Sequence, residues 1–577
     1  MSLENKIPSR KESFIFWIKS TLLKQKRRYF NAFVQPTKRL RKQEISLNSI
    51  LISSSSTDLW TSDNPLEMDL TAGKIQNLRI ACSKLNGLEV PAGEIFSFWK
   101  NIGKATKGNG YVAGRELREG CIIPTIGGGL CQLSNALYDA ALKADFEIIE
   151  RHAHTQVIKN SLAEKGRDAT IYWNYVDLRF KSAKKFSIEA FLTSDKLIVR
   201  FKGLKANITS KVTTEKLFKF DPIANCVSCG KTECHKNIAT QKEDLKYGKT
   251  AYLLDEFWPE HNTYINNNLK ENDIAIIPLD GVKKKKSNYA WNFNKKVNVY
   301  TNNIATIKRA LAVRKSPKQG SELQATLLKH DEILANKMAK YVDYSVKHIV
   351  VSQNLLPFLQ KSGLLGGRTF DVLMTRLPAA NLQHELDLAY QKHPNSSTLS
   401  DFRVNEWFVN TENSALKNAK AIITPHTKVA ELFSNSILID WHKPSSSSYV
   451  KEHAKTKTIL FAGSGLARKG VFETKEYFKN SNYSLMVLGK AKEHPNIWGE
   501  LNIIEDCSNW INKVDVVILP AYIEHKPRVL LKALVNNIPV IASKNCGLPE
   551  MKNLHILDEI SPKSIQSTLE CCLNNKG

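Results

Sequence analysis

Beyond about Tyr247 the chain carries short apolar runs at close intervals: "TAYLLD", "DIAIIPL", "KVNVYT", "HIVVSQ", "AKAIITP", "SILID", "KTILFAG", "YSLMVLG", "VDVVILP" and "IPVIAS". Segments with helical spacing separate them, and apolar strands alternating with amphipathic helices are the pattern of parallel, doubly wound sheets. A polar stretch, "KPSSSSYVKEHAK" from Lys443 to Lys455, divides the series. The expectation is two α/β lobes, 245–442 and 457–577, that hold ligands in the cleft at the carboxyl ends of their strands.

The first half has a different texture. "KIQNLRIACSKL" (Lys74 to Leu85) has helical spacing, and "ATIYW", "VDLRF", "FSIEAFL" and "KLIVRFKG" follow one another as β-prone runs between Asp168 and Gly203. These runs predict an α+β domain over 58–204, set off from a basic arm (1–52) by a serine-rich break, "SSSST", at Ser53 to Thr57. At 577 residues the chain is too long for one hydrophobic core, so a multidomain architecture is required.

Within the α+β domain, "IGGGLCQLSNALYDAAL" places three glycines before a helix that opens at Cys131. First-turn amides stabilise a thiolate, and the glycines are expected to clear space around a reactive sulfur. The next element, "FEIIERHAHTQVI", read as a strand, puts Glu150, His152 and His154 on one face. A cysteine at a helix start, then histidine, then Asp168 or Asp177, is the order found in papain-like and transglutaminase-like cysteine enzymes. Cys131, His152, His154 and Asp168 are therefore candidate catalytic residues; the competing reading is that they are structural.

A polar linker (205–244) holds Cys226, Cys229, Cys234 and His235 in C-x2-C-x4-C-H spacing. These are candidate ligands of a structural zinc, with a surface or redox cysteine pair as the rival.

The net charge of +27 favours anionic partners, and much of it lies between Arg10 and Gln43. There Phe14, Ile15, Ile18, Leu22 and Leu23 share a helical face bordered by Lys19, Lys24, Lys26 and Arg27. Such a helix lies on an anionic membrane surface or docks on its own core, and the sequence leaves both open. No apolar run approaches the roughly 18 residues of a spanning helix. The expected location is cytoplasmic, peripheral at the inner membrane face. No groove-reading or base-stacking motif is present, so nucleic acid is not an expected partner.

In the second lobe, "TILFAGSGLARKGVFE" turns at Gly463 and Gly465 and offers Arg468 and Lys469 ahead of a helix, an arrangement suited to a diphosphate. The loop after "VDVVILP" brings Glu524 to the same cleft, with Arg528 starting the next helix near Pro527. Asp255, Glu256, His261 and His426 stand near strand ends of the first lobe as acceptor-side candidates.

Two resemblances follow from these motifs. "VPAGEIFSFWKNIG", "GYVAGRELREG", "IGGGLCQLSNALYDAAL", "EIIERHAHT" and "GRDATIYWNYVDLRF" resemble the VanW family over about Asp58 to Gly203, with Cys131, Gln132, His152, His154, Arg167 and Asp168 at its characteristic positions. The resemblance implies envelope biology and supplies no reaction. The second half resembles GT-B glycosyltransferases of the family 4 type, in which Lys469 matches the donor-phosphate lysine and Glu524 the first acid of a Glu, seven residues, Glu motif. The second acid falls on Lys532, and an arginine common in the first loop falls on Ser464.

That resemblance implies transfer from a nucleotide-sugar donor to a glycan or lipid-linked acceptor, with no metal required because Lys469, Arg468 and Arg528 supply the positive charge. Two alternatives stand beside it: a Cys131-dependent hydrolase or acyl transferase acting on envelope precursors, and a non-catalytic scaffold that binds glycan or nucleotide.

Overall fold

Side chains along Phe186–Leu192 and Lys196–Gly203 alternate between buried and partly exposed, the period-2 signature of strands with one face on a core. A computed structural model of the chain shows them paired antiparallel in a four-stranded sheet, between Ile50–Asp58 on one edge and Leu88–Val90 on the other. The structure describes residues 10–43, 49–61, 67–118, 121–154, 161–173, 176–203, 246–317, 320–446, 451, 456–499, 501–504 and 506–574. The chain divides into two compact units, one of residues 1–249 with 342–348 and 362–369, the other of residues 250–341, 349–361 and 370–577.

In the first unit, helices Met68–Leu85 and Leu130–Lys143 share one core with the sheet, and Phe146, Phe180, Phe186 and Phe201 pack ring on ring within it. A three-stranded sheet (Ile95–Ser97, Arg179–Lys181, Glu147–Glu150) and a hairpin (Ala113–Arg118 with Cys121–Ile126) complete it. Two expectations are corrected here. "SSSST" is not a break but part of edge strand Ile50–Asp58, because Ser53 and Ser55 are small enough to be buried beneath helix Leu130–Lys143, where Ser53 Oγ donates to the Ala140 carbonyl at 2.8 Å. "ATIYW" forms no strand; it contributes a single bridge between Tyr172 and Val176.

The basic arm forms helix Arg10–Tyr29, continued by a wide turn at Phe30–Val34. Its end is docked: Arg27 pairs with Glu150 (Nη1 to Oε1 3.0 Å, Nη2 to Oε2 2.5 Å), and fully buried Arg179 donates to Asn31 Oδ1 and Gln35 Oε1 at 2.5 and 3.1 Å. Arg27 and Arg179 also lie against the Phe30 ring. Ile18, Leu22, Tyr29 and Phe33 form a separate, exposed stripe at helical spacing. Of the two readings the sequence left open, docking on the domain is found at the helix end, while these apolar side chains stay exposed. Among the described residues no helix is long and apolar enough to cross a membrane.

The second unit contains two parallel sheets. The first lies in the spatial order Asn298–Thr301, Ile274–Ile277, Lys249–Leu253, Val346–Ser352, Thr369–Leu373, Ala421–Thr424, Ser436–Leu438. The second runs Ile503–Ile504, Ser484–Lys492, Thr458–Gly465, Val516–Leu519, Val540–Ser543, Leu554–Leu557. In each the chain starts at an inner strand, winds outward one way, then returns to wind the other, which opens a crevice beside the first strand. Strands Ile274–Ile277, Ala421–Thr424, Val516–Leu519 and Val540–Ser543 are buried along their whole length, as double-sided helical cover requires.

Candidate functional site

Where the second sheet reverses direction, the segments leaving Thr458–Gly465 and Val516–Leu519 converge. Lys469 lies in a short 3-10 turn after the first strand, and its Nζ donates to Glu524 Oε2 at 2.9 Å and to the Ile523 carbonyl at 2.8 Å. Glu524 Oε1 accepts from the Lys526 amide at 2.8 Å. Burial works against ionising Glu524, yet the Lys469 cation holds its carboxyl well below the ordinary range. Gly463 and Gly465 end the incoming strand, Gly463 lying against Leu519 and the Lys469 stem. The Arg468 guanidinium covers the Phe402 ring at 4.7 Å, and its Nη1 is buried with no hydrogen-bond partner. Arg528 pairs with Glu260 (Nη2 to Oε2 2.9 Å) above Trp258 and Trp441, and so acts first as a tie between the lobes.

The first lobe meets this crevice with its own switch point. Asp255 follows strand Lys249–Leu253, accepts from Arg309 Nη1 at 2.7 Å, and its amide donates to Ser352 Oγ at 3.0 Å. The same Arg309 reaches Asp331 at 2.8 Å, and burial pushes the Asp331 carboxyl up to about 7. Glu256 pairs with Lys526 at 2.6 Å. His426 projects from the end of Ala421–Thr424, with Nε2 3.1 Å from the Glu524 carbonyl and Nδ1 buried and unpartnered. Its ring lies so close to Gly547 that a Cβ there would fall 2.1 Å from Nδ1, so only glycine fits. His261 is buried with Nε2 unpartnered, and burial takes its pKa down to about 4.

In the first unit the structure pairs two of the four candidates, His154 and Asp168, and Thr170, two residues beyond that aspartate, reaches within 4.0 Å of the Cys131 sulfur. Gly129, at φ +95°, precedes helix Leu130–Lys143, whose first turn carries Cys131. The His154 Nδ1 stands 2.7 Å from Asp168 Oδ1, and the Asp168 carboxylate also accepts the His154 amide. Burial tends to lower the His154 pKa, but hydrogen bonds to Asp168 and Cys131 raise it to about 10. His152 is elsewhere: strand Glu147–Glu150 ends before it, the period-2 reading lapses, and its half-exposed ring turns to Glu150 at 3.4 Å. Asp177 is committed to Ser97, Trp99 and Arg179, leaving Asp168 as the histidine's carboxylate.

The glycines do not open space at the sulfur. A Cβ on Gly128 would lie 2.3 Å from the Gly114 carbonyl oxygen, and one on Gly129 would lie 2.1 Å from Lys74 Cγ, so they admit the hairpin and the neighbouring helix. Gln132 donates to Thr57 Oγ1 and the Asp58 carbonyl, and Arg167 pairs with Asp139 at 3.4 Å. Cys226, Cys229, Cys234 and His235 lie outside the described residues. Among the described residues no group of three or more His, Cys, Asp and Glu is arranged to hold a metal ion.

Residues 73–202 match the family model described as VanW like protein, and residues 446–555 match that described as Glycosyl transferases group 1. The chain carries a VanW domain and a group 1 glycosyltransferase domain. The architecture expected from the sequence, an α+β domain followed by two parallel α/β lobes, is the one found. Over 142 residues the chain is 34% identical to the vancomycin B-type resistance protein VanW of Enterococcus faecalis, covering 24% of this chain and 51% of that protein. It is 31% identical over 106 residues to the uncharacterized protein YoaR of Bacillus subtilis, covering 18% and 34%. The chain thus spans about half, and about a third, of the length of these two curated relatives. Among solved structures, the apo form of the lipopolysaccharide outer core galactosyltransferase WaaB aligns with 57% of this chain and 91% of its own, at 14% identity and a TM-score of 0.33.

Residues not singled out from the sequence also contact these candidate side chains or their neighbours. In the VanW domain, Thr170 Oγ1 lies 4.0 Å from the Cys131 sulfur, and Asn135 Oδ1 accepts from the Ala169 amide at 2.7 Å. Asn135 follows Cys131 by one helical turn, a spacing that marks it as a neighbour in advance. Arg309 and Asp331 have no such signal, because their link to Asp255 joins distant parts of the chain.

Proposed function

We propose that the group 1 glycosyltransferase domain and the lobe before it transfer a sugar from a nucleotide-sugar donor to a hydroxyl acceptor. The observation that carries this reading is the Lys469–Glu524 pair, held where two strands diverge inside the matched domain. The bond from the anomeric carbon to the diphosphate oxygen breaks as the acceptor oxygen bonds to that carbon. Lys469 and the unpartnered face of Arg468 supply positive charge where the diphosphate gathers negative charge, and Glu524 offers acceptor oxygens to sugar or ribose hydroxyls. Asp255 and His426, which follow strands of the first lobe, are the residues we assign to the acceptor side.

The acceptor we assign is an envelope or surface glycan, free or lipid-linked. Support comes from the VanW domain on the same chain and from the arm, whose exposed Ile18, Leu22, Tyr29 and Phe33 are interspersed with Lys24, Lys26 and Arg28. An anionic membrane is the surface such a stripe fits.

The test is a thermal-shift panel of nucleotide sugars. At least one donor should raise the melting temperature by mass action, and Lys469→Ala or Glu524→Ala should remove that rise. A flat response from the whole panel overturns the reading. For the arm, vesicles containing phosphatidylglycerol should bind the chain, less so with added salt, and Leu22→Ser with Phe33→Ser should release it.

A further inference from the structure

We infer that Cys131, His154 and Asp168 form a second active site, separate from glycosyl transfer, that performs thiol-dependent acyl transfer from an ester or amide carbonyl. Three features of the geometry support it. The sulfur sits in the first turn of a fourteen-residue helix, at the end where free amides and the helix dipole favour an anion and can receive a carbonyl oxygen. Asp168 occupies His154 Nδ1, which leaves Nε2 as the nitrogen for the sulfur. The aspartate is fixed in turn: Arg151 Nε donates to its carbonyl at 2.7 Å, and the next residue, Ala169, is tied to the cysteine's own helix through Asn135 and Ser134.

The remaining charged groups nearby are already engaged, Arg151 over the Tyr138 ring, Arg167 with Asp139, His152 with Glu150, and Lys74 with the Leu59 carbonyl. Thr170, two residues beyond Asp168, lies 4.0 Å from the sulfur, so the His154–Asp168 pair is the titratable pair that we assign to proton exchange with it. Cys82 and Cys546 are buried, whereas Cys131 is partly exposed.

In the first step the thiolate attacks the carbonyl carbon, a carbon–sulfur bond forms, and the ester or amide bond breaks as the leaving group takes the proton from His154 Nε2. In the second, water or another hydroxyl or amine gives a proton back to His154 and attacks the thioester, which breaks the carbon–sulfur bond and restores the thiolate. Nothing is oxidised or reduced. Cys131 and His154 are the catalytic residues, and Asp168 positions the ring.

The experiment uses the full chain, with iodoacetamide and p-nitrophenyl acetate as probes and mass spectrometry to locate the adducts. Near pH 6.5, Cys131 should alkylate about tenfold or more faster than exposed Cys571, and the ester should leave an acetyl group on Cys131. His154→Gln should lower both rates about tenfold. Asp168→Asn should move the pH profile of alkylation towards that of an ordinary thiol, a change that lost packing alone does not produce. If Cys131 reacts at the pace of Cys571 across the profile, or acetylates equally fast in folded His154→Gln, the inference is overturned. Should His154→Gln not fold, the native profile and Cys131→Ser, which should abolish acetylation, decide the matter.

Discussion

Lys469 and Glu524, 55 residues apart in sequence, form a 2.9 Å ion pair that links the segments leaving two adjacent strands of the group 1 glycosyltransferase domain. Both side chains are largely buried, so removing one strands the other. Lys469→Ala or Glu524→Ala should each cost about 1–3 kcal/mol of stability. The double variant should lose less than the sum, with a coupling of about 0.5–3 kcal/mol in urea unfolding. Additive losses would show that the pair is not formed in solution.

His154 ties stability to pH in a direction that can be worked out. Its pKa rises from 6.5 to about 10 on folding, because Asp168 and Cys131 outweigh the cost of burial. A raised pKa means the folded state favours the proton, so the contribution is whole below about pH 6.5 and fades as pH climbs through about 10. Denaturation of native chain and His154→Gln should therefore differ most below about pH 6.5 and converge as pH passes about 10.

Arg179 anchors the arm from a fully buried position, facing Asp177, Glu150, Asn31 and Gln35 together. Arg179→Met removes the buried cation that Asp177 and Glu150 share, and leaves Arg27 as the arginine paired with them. A loss of about 3–5 kcal/mol is expected. Limited trypsin digestion should then cut within residues 24–41 well before it cuts the rest of the VanW domain.

Gly128→Ala should destabilise the VanW domain by about 1–3 kcal/mol or more, since the added methyl meets the Gly114 carbonyl in a rigid hairpin. Gly108→Ala provides the control, because nothing lies within 4 Å of its added Cβ and its backbone is not in the left-handed region. Similar midpoints for the two variants would contradict the packing described for the glycines.

The lobes were legible in the sequence because their strands are continuous apolar runs, and each run quoted for the second half coincides with a strand. Thr369–Leu373 escaped notice because Asp371 interrupts its apolar pattern, and Leu554–Leu557 because His555 does. The VanW domain was harder to read. Its edge strand is built of serines, and the strand before His152 stops short, so local periodicity misassigned both. Cys131, His154 and Asp168 were nameable from residue type and order. Which histidine would face the sulfur depends on the turn after Glu150, where alternation no longer applies. The arm's dual character was invisible for a similar reason: a helical wheel shows faces, not the distant arginine that fastens one of them.

The contact of His426 with Gly547 brings two main chains within reach, and the Thr427 amide donates to the Gly547 carbonyl at 3.1 Å across the lobes. One peptide proton therefore reports on the cleft directly. Deuterium would enter at Thr427 only when the lobes part, so its uptake rate, slowed by any nucleotide sugar that bridges them, is a clock for opening that needs no label and no substitution.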